Sequence, residues 1–344
     1  MKVIEKYNDS LHNPHWKFHL GPVVYEVKDT PRRVQAIKER LLEDPRFSLA
    51  TAEIFPERHL TRLHPYHDYI RNTAESLRDG EEFYPDLFPG EGANLPRRVD
   101  TALQGGIWCT DAVTPIVHRT YEVAKASVDT ALTAADMLAT GSESMVYALC
   151  RPSGHHAGPR VFGGYCYFNN VATAADHLVN QGRVAIVDID YHHGNGTQEF
   201  FDEQKAVFTA SLHGDPTFEY PYFWGYAEEV GKGQAEGTNH NEPLPQNTEC
   251  EQYLAALRRV VEAVRAFDPA YLIVAAGFDT HADDPIGGFA LQTVDYREIA
   301  RLLAELRKPT LICQEGGYNL KVLGECVHTF LDNFEETWQR GKIS

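Results

Sequence analysis

Along the chain, short apolar runs alternate with longer segments whose apolar residues recur at helical spacing. The runs are Met145–Cys150, Arg183–Val187, Val207–Leu212, Tyr271–Ala276 and Thr310–Cys313. Each is of strand length, and an uninterrupted apolar run of that length reads as a strand buried on both faces. Between and after them, Tyr121–Ala139, Asn170–Leu178, Glu249–Phe267, Val294–Leu306 and Val322–Trp338 carry helical patterns. Strands alternating with helices imply right-handed crossovers, hence an α/β fold with a mainly parallel central sheet and helices on both faces.

The first third is less regular. Val3 and Ile4 suggest a strand, and residues 8–28 read as a loop. Thr30-Pro31 supplies an N-cap and a first-turn proline. The helix they start carries Val34, Ile37, Leu41 and Leu42. A second helix runs from about Pro65 to Asp79-Gly80. Residues 80–118 then break the rhythm with prolines, glycines and aromatics (Phe83, Tyr84, Phe88 and Trp108). A loop that long inside a compact domain points to function or to an interface, here packing on a second subunit. Without a repeat or a flexible linker, residues 1–344 read as one domain.

Composition narrows the partners. The formal net charge is −17, which disfavours nucleic acid and attracts a cationic substrate, although acidic surfaces also serve solubility alone. The six cysteines form no C-x-x-C pair and mostly sit in apolar runs, so buried free thiols are expected. Residues 1–7 do not resemble a signal peptide, and no stretch is apolar for long enough to span a bilayer. A cytoplasmic protein with no membrane partner is expected.

In parallel sheets ligands bind beyond the carboxyl ends of the strands, and here five strand ends carry polar or glycine-rich segments. They are Arg151-Pro-Ser-Gly-His155-His156, Asp188-Ile-Asp190-Tyr-His192-His193, Ser211-Leu-His213-Gly-Asp215, Gly277-Phe-Asp279 and Gln314-Glu315-Gly316-Gly317-Tyr318. Charges at the end of a buried strand are costly unless a cation or a reaction uses them. Side chains two apart in an extended segment share a side, so Asp190 and His192 can reach one divalent ion. Asp279 is the best third ligand, set against a bland reading as a helix cap. Asp-His-Asp with an open position suits catalytic zinc or iron(II), which lowers the pKa of water and polarises a carbonyl. One of His155 and His156 can move protons, and Tyr318 can donate to an oxyanion. His193 and His213 read equally as structural, and Asp283 and Asp284 as a solvated loop.

Five ordered motifs, with Gly163-Gly-Tyr165-Cys-Tyr-Phe-Asn-Asn among them, resemble the histone deacetylase superfamily over roughly residues 145–320. Ser211-Leu-His213-Gly-Asp215 and Phe223-Trp-Gly-Tyr-Ala-Glu-Glu are most similar to the bacterial acetylpolyamine amidohydrolases. The resemblance implies an arginase-like fold and zinc-dependent amide hydrolysis that releases acetate. It implies Asp190, His192 and Asp279 as zinc ligands, His156 as general base and acid, His155 as its electrostatic partner, and Tyr318 as the group polarising the carbonyl. It also implies a structural potassium site from Asp188, Ser211 and carbonyls of Asp190, His192 and Leu212. Tyr165, Tyr220 and Ile286 match the substrate tunnel.

Two departures stand out. Asn195 replaces the aspartate that contacts the catalytic histidine in class I histone deacetylases; the polyamine enzymes share this asparagine. Those enzymes also place glutamates in the middle loop to meet a distal ammonium, where this chain offers only Asp111. The implied substrates are small cationic acetylated amines such as acetylputrescine and acetylcadaverine, with a homodimer formed through residues 80–118 and gating the site. The alternative is a protein or peptide acetyl-lysine deacetylase. An inert sensor would need a lost ligand, and a two-metal ureohydrolase would need more aspartates.

Overall fold

The computed structural model describes residues 1–6, 8–15, 17–20, 23–85 and 104–340. The chain opens with β1 (Lys2–Glu5), the ribbon β2 (Lys17–Leu20) and β3 (Val23–Glu26), α1 (Pro31–Leu42) and β4 (Ser48–Thr51). Short α2 (Arg58–Thr61) and α3 (His67–Ser76) follow. Next come β5 (Glu82–Phe83), one-turn α4 (Gly105–Trp108), β6 (Ile116–Val117) and the long α5 (Thr120–Ala139). The regular alternation then runs β7 (Met145–Ala148), α6 (Asn170–Leu178), β8 (Val184–Asp188), α7 (Asn195–Phe201), β9 (Val207–Gly214) and β10 (Asn239–Leu244). It closes with α8 (Cys250–Phe267), β11 (Tyr271–Ala276), α9 (Tyr296–Ala304), β12 (Thr310–Gln314) and α10 (Leu323–Arg340).

Eight strands form one sheet in the order β10-β9-β8-β11-β12-β7-β1-β4, and every pairing in it is parallel. The apolar runs are central because alternate side chains enter two cores. Ala185, Val187, Leu272 and Val274 pack in the layer with α8, α9 and α10. Val184, Ile186, Ile273 and Ala275 pack in the layer with α5 and α6. This is the α/β architecture that the alternation predicts.

The differences lie at the edges. The expected loop 8–28 contains the β2–β3 ribbon, in which Lys17 pairs across from Glu26. β10 was not legible because it is a polar edge strand containing Pro243, and proline is tolerated there. Within 80–118, β5 pairs with β6. Trp108 is buried in a third core with Tyr66, Phe162 and Phe168, so its ring serves this chain's own interior. Phe88 and the middle of that loop lie outside the described residues. All six cysteines are free, five of them buried. Among the described residues no helix is long and apolar enough to cross a membrane.

Candidate metal centre and active site

The carboxyl ends of β7, β8, β11 and β12 place their polar segments around one spot. β8 and β11 are neighbours, with Asp188 in register with Ala275. Asp190 and His192 therefore come off one strand end beside Asp279 from the next. One ligand atom from each of Asp190, His192 and Asp279 lies within 4.8 Å of the others. His192 Nδ1 is 3.0 Å from Asp279 Oδ2 and 3.4 Å from Asp190 Oδ1. Glycines make room for the carboxylates: a Cβ on Gly277 would sit 2.0 Å from Asp190 Oδ2, and one on Gly316 2.6 Å from Asp279 Oδ2.

These donors are aimed rather than merely near. Asp190 Oδ2 accepts from the Gly316 amide at 2.7 Å, and Asp279 Oδ1 accepts from the Tyr191 amide at 2.9 Å. Burial, reinforced by the Asp190 charge, pushes the Asp279 carboxyl up to about 7. Two buried carboxylates facing one imidazole carry negative charge that a divalent cation would neutralise, and the donor set fits zinc or iron(II). A second cluster, His155, Cys166 and Glu315, is equally compact and mostly engaged, with Glu315 Oε1 left without a hydrogen-bond partner. Glu315 Oε2 accepts from the Gly154 and His155 amides, and His155 Nδ1 bonds Asp188.

The two adjacent histidines have different partners. His155 Nδ1 is 2.9 Å from Asp188 Oδ2. Burial opposes its charged form, but Asp190 and Asp188 outweigh burial and raise its pKa to about 10. His156 Nδ1 is 2.8 Å from Asn195 Oδ1. That oxygen only accepts, so the ring proton sits on Nδ1 and Nε2 keeps a free lone pair. Burial, then the charges of His155 and His192, hold His156 well below the ordinary histidine value. Gly164, at φ +59°, lets the chain pass against this ring, because a Cβ there would be 2.3 Å from His156 Cδ2.

His156, His192 and Tyr318 form the floor of a cavity of about 310 Å³, whose walls include Tyr165, Tyr220 and Ile286. The Tyr220 ring stands edge-on to His156 at 4.9 Å, and Tyr165 meets Tyr318 at 6.0 Å. Burial keeps the Tyr318 phenol protonated, far above its ordinary value. The structure thus brings His156, His192, Asp190, Asp279, Tyr318, Tyr165, Tyr220 and Ile286 together. Asp188 lies in register with Ser211 on β9, next to Leu212, and Ser211 Oγ bonds His213 Nδ1 at 2.9 Å. His193 is turned away, bonding Gln198, with its ring 4.5 Å from that of His213. Tyr191 is core packing, with its hydroxyl on Glu219.

One expectation is corrected. Asp283 is exposed, but Asp284 is buried. Its Oδ2 accepts from the Tyr318 and Asn319 amides at 2.7 and 3.2 Å, and its Oδ1 accepts from the Ile286 amide at 3.1 Å. It pins the turn that presents Tyr318. Asp111 does not line the cavity; its carboxylate accepts from Val113, Thr114 and Gly164 and so shapes the turn before Tyr165.

Sequence reasoning also missed the support beneath Tyr318. Arg33 lies 4.6 Å from that ring, donates to the Gly317 and Glu315 carbonyls, and pairs with Asp29. The spacing of Asp29 and Arg33, four apart at a helix start, is the only local signal for this contact.

Residues 28–334 match the histone deacetylase domain. The chain is 37% identical over 316 residues to acetylpolyamine amidohydrolase 1 of Pseudomonas aeruginosa, covering 89% of this chain and 91% of that protein. It is 43% identical over 231 residues to the acetylpolyamine amidohydrolase of Mycoplana ramosa, covering 66% and 67% respectively. A crystal structure of an acetylpolyamine aminohydrolase from Burkholderia pseudomallei superimposes with a TM-score of 0.90 at 29% identity, over 98% of this chain and 99% of that one. With the strand-end site at its centre, this chain belongs to the histone deacetylase family.

Proposed function

We propose that the protein is a zinc-dependent amidohydrolase that removes acetyl groups from small N-acetylated diamines and polyamines in the cytoplasm, releasing acetate. Acetylputrescine and acetylcadaverine are the expected substrates. One observation carries the reading: the cavity lined by Tyr165 and Tyr220 is also lined by His156, His192 and Tyr318. Relatives named as acetylpolyamine amidohydrolases support it.

Asp190, His192 and Asp279 would hold the metal, which supplies Lewis acidity and a more acidic water. The chain's own groups do the rest. Tyr165 and Tyr220 pack the slender amine arm and exclude water. His156, with Asn195 holding its Nδ1 proton, offers Nε2 to take a proton from the attacking water and return it to the leaving nitrogen. His155, charged beside Asp188, acts on its neighbour electrostatically and lowers the pKa of His156. Tyr318 donates its hydroxyl to the acetyl oxygen as negative charge develops. Asp188, Ser211, Leu212 and the carbonyls of Asp190 and His192 would take a structural potassium ion, and residues 80–118 would join two subunits at the mouth.

The test is a set of steady-state rates on acetylputrescine, acetylcadaverine, acetylspermidine and an acetyl-lysine peptide. Higher kcat/KM on the acetylated amines is expected. Preference for the peptide would replace this reading with protein deacetylation.

A further inference from the structure

The mouth of the cavity carries a cation–anion pair that the chemistry at the floor does not use. Glu26 and Lys28, at the end of the β2–β3 ribbon, line the same cavity as His156 and Tyr318. Lys17 lies directly opposite Glu26 in the ribbon, so Glu26 Oε1 pairs with Lys17. Residues two apart in extended chain project to one side; accordingly Lys28 Nζ comes to 3.7 Å from Glu26 Oε2. The hydrogen bond from Lys17 holds the Glu26 carboxyl below its ordinary value, so it is an anion at neutral pH.

The stem of this pair is anchored and its heads are exposed, with Lys17 held on one Glu26 oxygen. The Lys28 backbone bonds the Tyr165 phenol. Asp29, the next residue, is buried between Arg33 and Arg151. The side chains of Glu26 and Lys28 are 49% and 37% exposed. At 3.7 Å they lie beyond ordinary hydrogen-bond reach, and water screens an exposed pair of this kind. A ligand can therefore exchange into it at small cost. The intervening wall offers Val24, Val113, Pro285 and Ile286, so the described lining holds no other carboxylate or ammonium, and Lys17, outside that lining, is the cation an incoming ammonium must share Glu26 with.

We propose that Glu26 and Lys28 form a subsite for a zwitterionic head group, and that the enzyme accepts free acetylated diamino acids such as Nε-acetyl-lysine. This rests on the amidohydrolase reading above. Glu26 takes the α-ammonium and Lys28 the α-carboxylate while the acetyl end reaches the floor. An acetylated diamine fills only the Glu26 half and leaves its ammonium near that of Lys28. Acetyl-lysine inside a peptide offers neither charge.

The experiment compares kcat/KM of the full chain on Nε-acetyl-lysine, N-acetylcadaverine and N-pentylacetamide. These share one acetamidopentyl arm and differ only in the charges at its far end. Acetyl-lysine should exceed N-pentylacetamide by about tenfold or more, through KM, and at least equal acetylcadaverine. Lys28→Met should lower the ratio of acetyl-lysine to acetylcadaverine by about tenfold, and Glu26→Gln should lower both charged substrates relative to N-pentylacetamide. Turnover of N-pentylacetamide with these ratios unmoved overturns the subsite and leaves the hydrolase reading intact. So does a wild-type preference for acetylcadaverine of more than about tenfold. Turnover of none of the three overturns the hydrolase reading and the subsite with it.

Discussion

The floor and the rim of the cavity are built by opposite rules. At the floor, Asp190, Asp279 and Glu315 are at most 1% exposed, and backbone amides grip their carboxylates. At the rim, Glu26 and Lys28 are partly exposed and 3.7 Å apart, and Glu26 also pairs with Lys17. A buried carboxylate needs every partner fixed, because an unpaired buried charge costs several kcal/mol. An exposed one is satisfied by water and can change partners. Chemistry is thus tied to rigid strand ends, and selectivity is left to a ribbon where substitution costs little stability.

From that contrast, floor substitutions should act on kcat and metal, and rim substitutions on KM ratios. The largest effect expected is from Asp279→Ala. It should abolish turnover and reduce bound zinc from about one per chain to near none, read by metal analysis; full occupancy would remove Asp279 from the ligand set. Tyr318→Phe should cut kcat by about a hundredfold or more, the usual loss for an oxyanion donor, and near-wild-type rates would deny it that role. Asp284→Ala should cost about tenfold in kcat with KM nearly unchanged, since three amides lose their acceptor. The exposed neighbour Asp283→Ala should stay within about twofold. Equal effects at the two positions would mean that Asp284 does not act through the Tyr318 turn.

A separate effect is on stability and lies outside the site. His12 and His64 are buried, and burial lowers each pKa to about 3. His64 donates from Nδ1 to the Leu60 carbonyl and accepts the Asn169 amide at Nε2, so it has no place for a second proton. The unfolded chain binds protons at these residues from about pH 6.5 downward, and the folded chain does not. Their contribution is complete above about 6.5 and is lost as pH falls toward 3, by about 1.4 kcal/mol per pH unit for each histidine. Urea midpoints at pH 7.5, 6 and 5 should fall accordingly, and His64→Gln should flatten the slope.

The sheet was readable because β8 and β11 are buried on both faces and so are apolar without interruption. The floor was readable because charged residues at the end of such strands have few bland explanations. What was hidden depends on long-range contact. Lys17 and Glu26 look like loop residues until they are paired across a ribbon. Asp284 follows Asp283 in a run that looks solvated, and only the approach of the Tyr318 turn buries it. Trp108 suggested an interface, yet it packs on Tyr66, a contact invisible without the third core. Asn195 was informative in the sequence, and its bond to His156 shows what differs: an amide oxygen accepts the Nδ1 proton as a carboxylate would, without the carboxylate's charge.

Neighbouring strands in the sheet need not be neighbours along the polypeptide. β8 and β11 pair directly, yet α7, β9, β10 and α8 separate them in the chain. During synthesis, the segment carrying Asp190 and His192 leaves the ribosome well before Asp279 exists. Parallel pairings across such distances form slowly. Until β11 docks, a nascent chain holds an aspartate–histidine pair with nothing to complete it. Capture of a metal would therefore belong to the last stage of maturation and would close the seam between the two halves of the sheet.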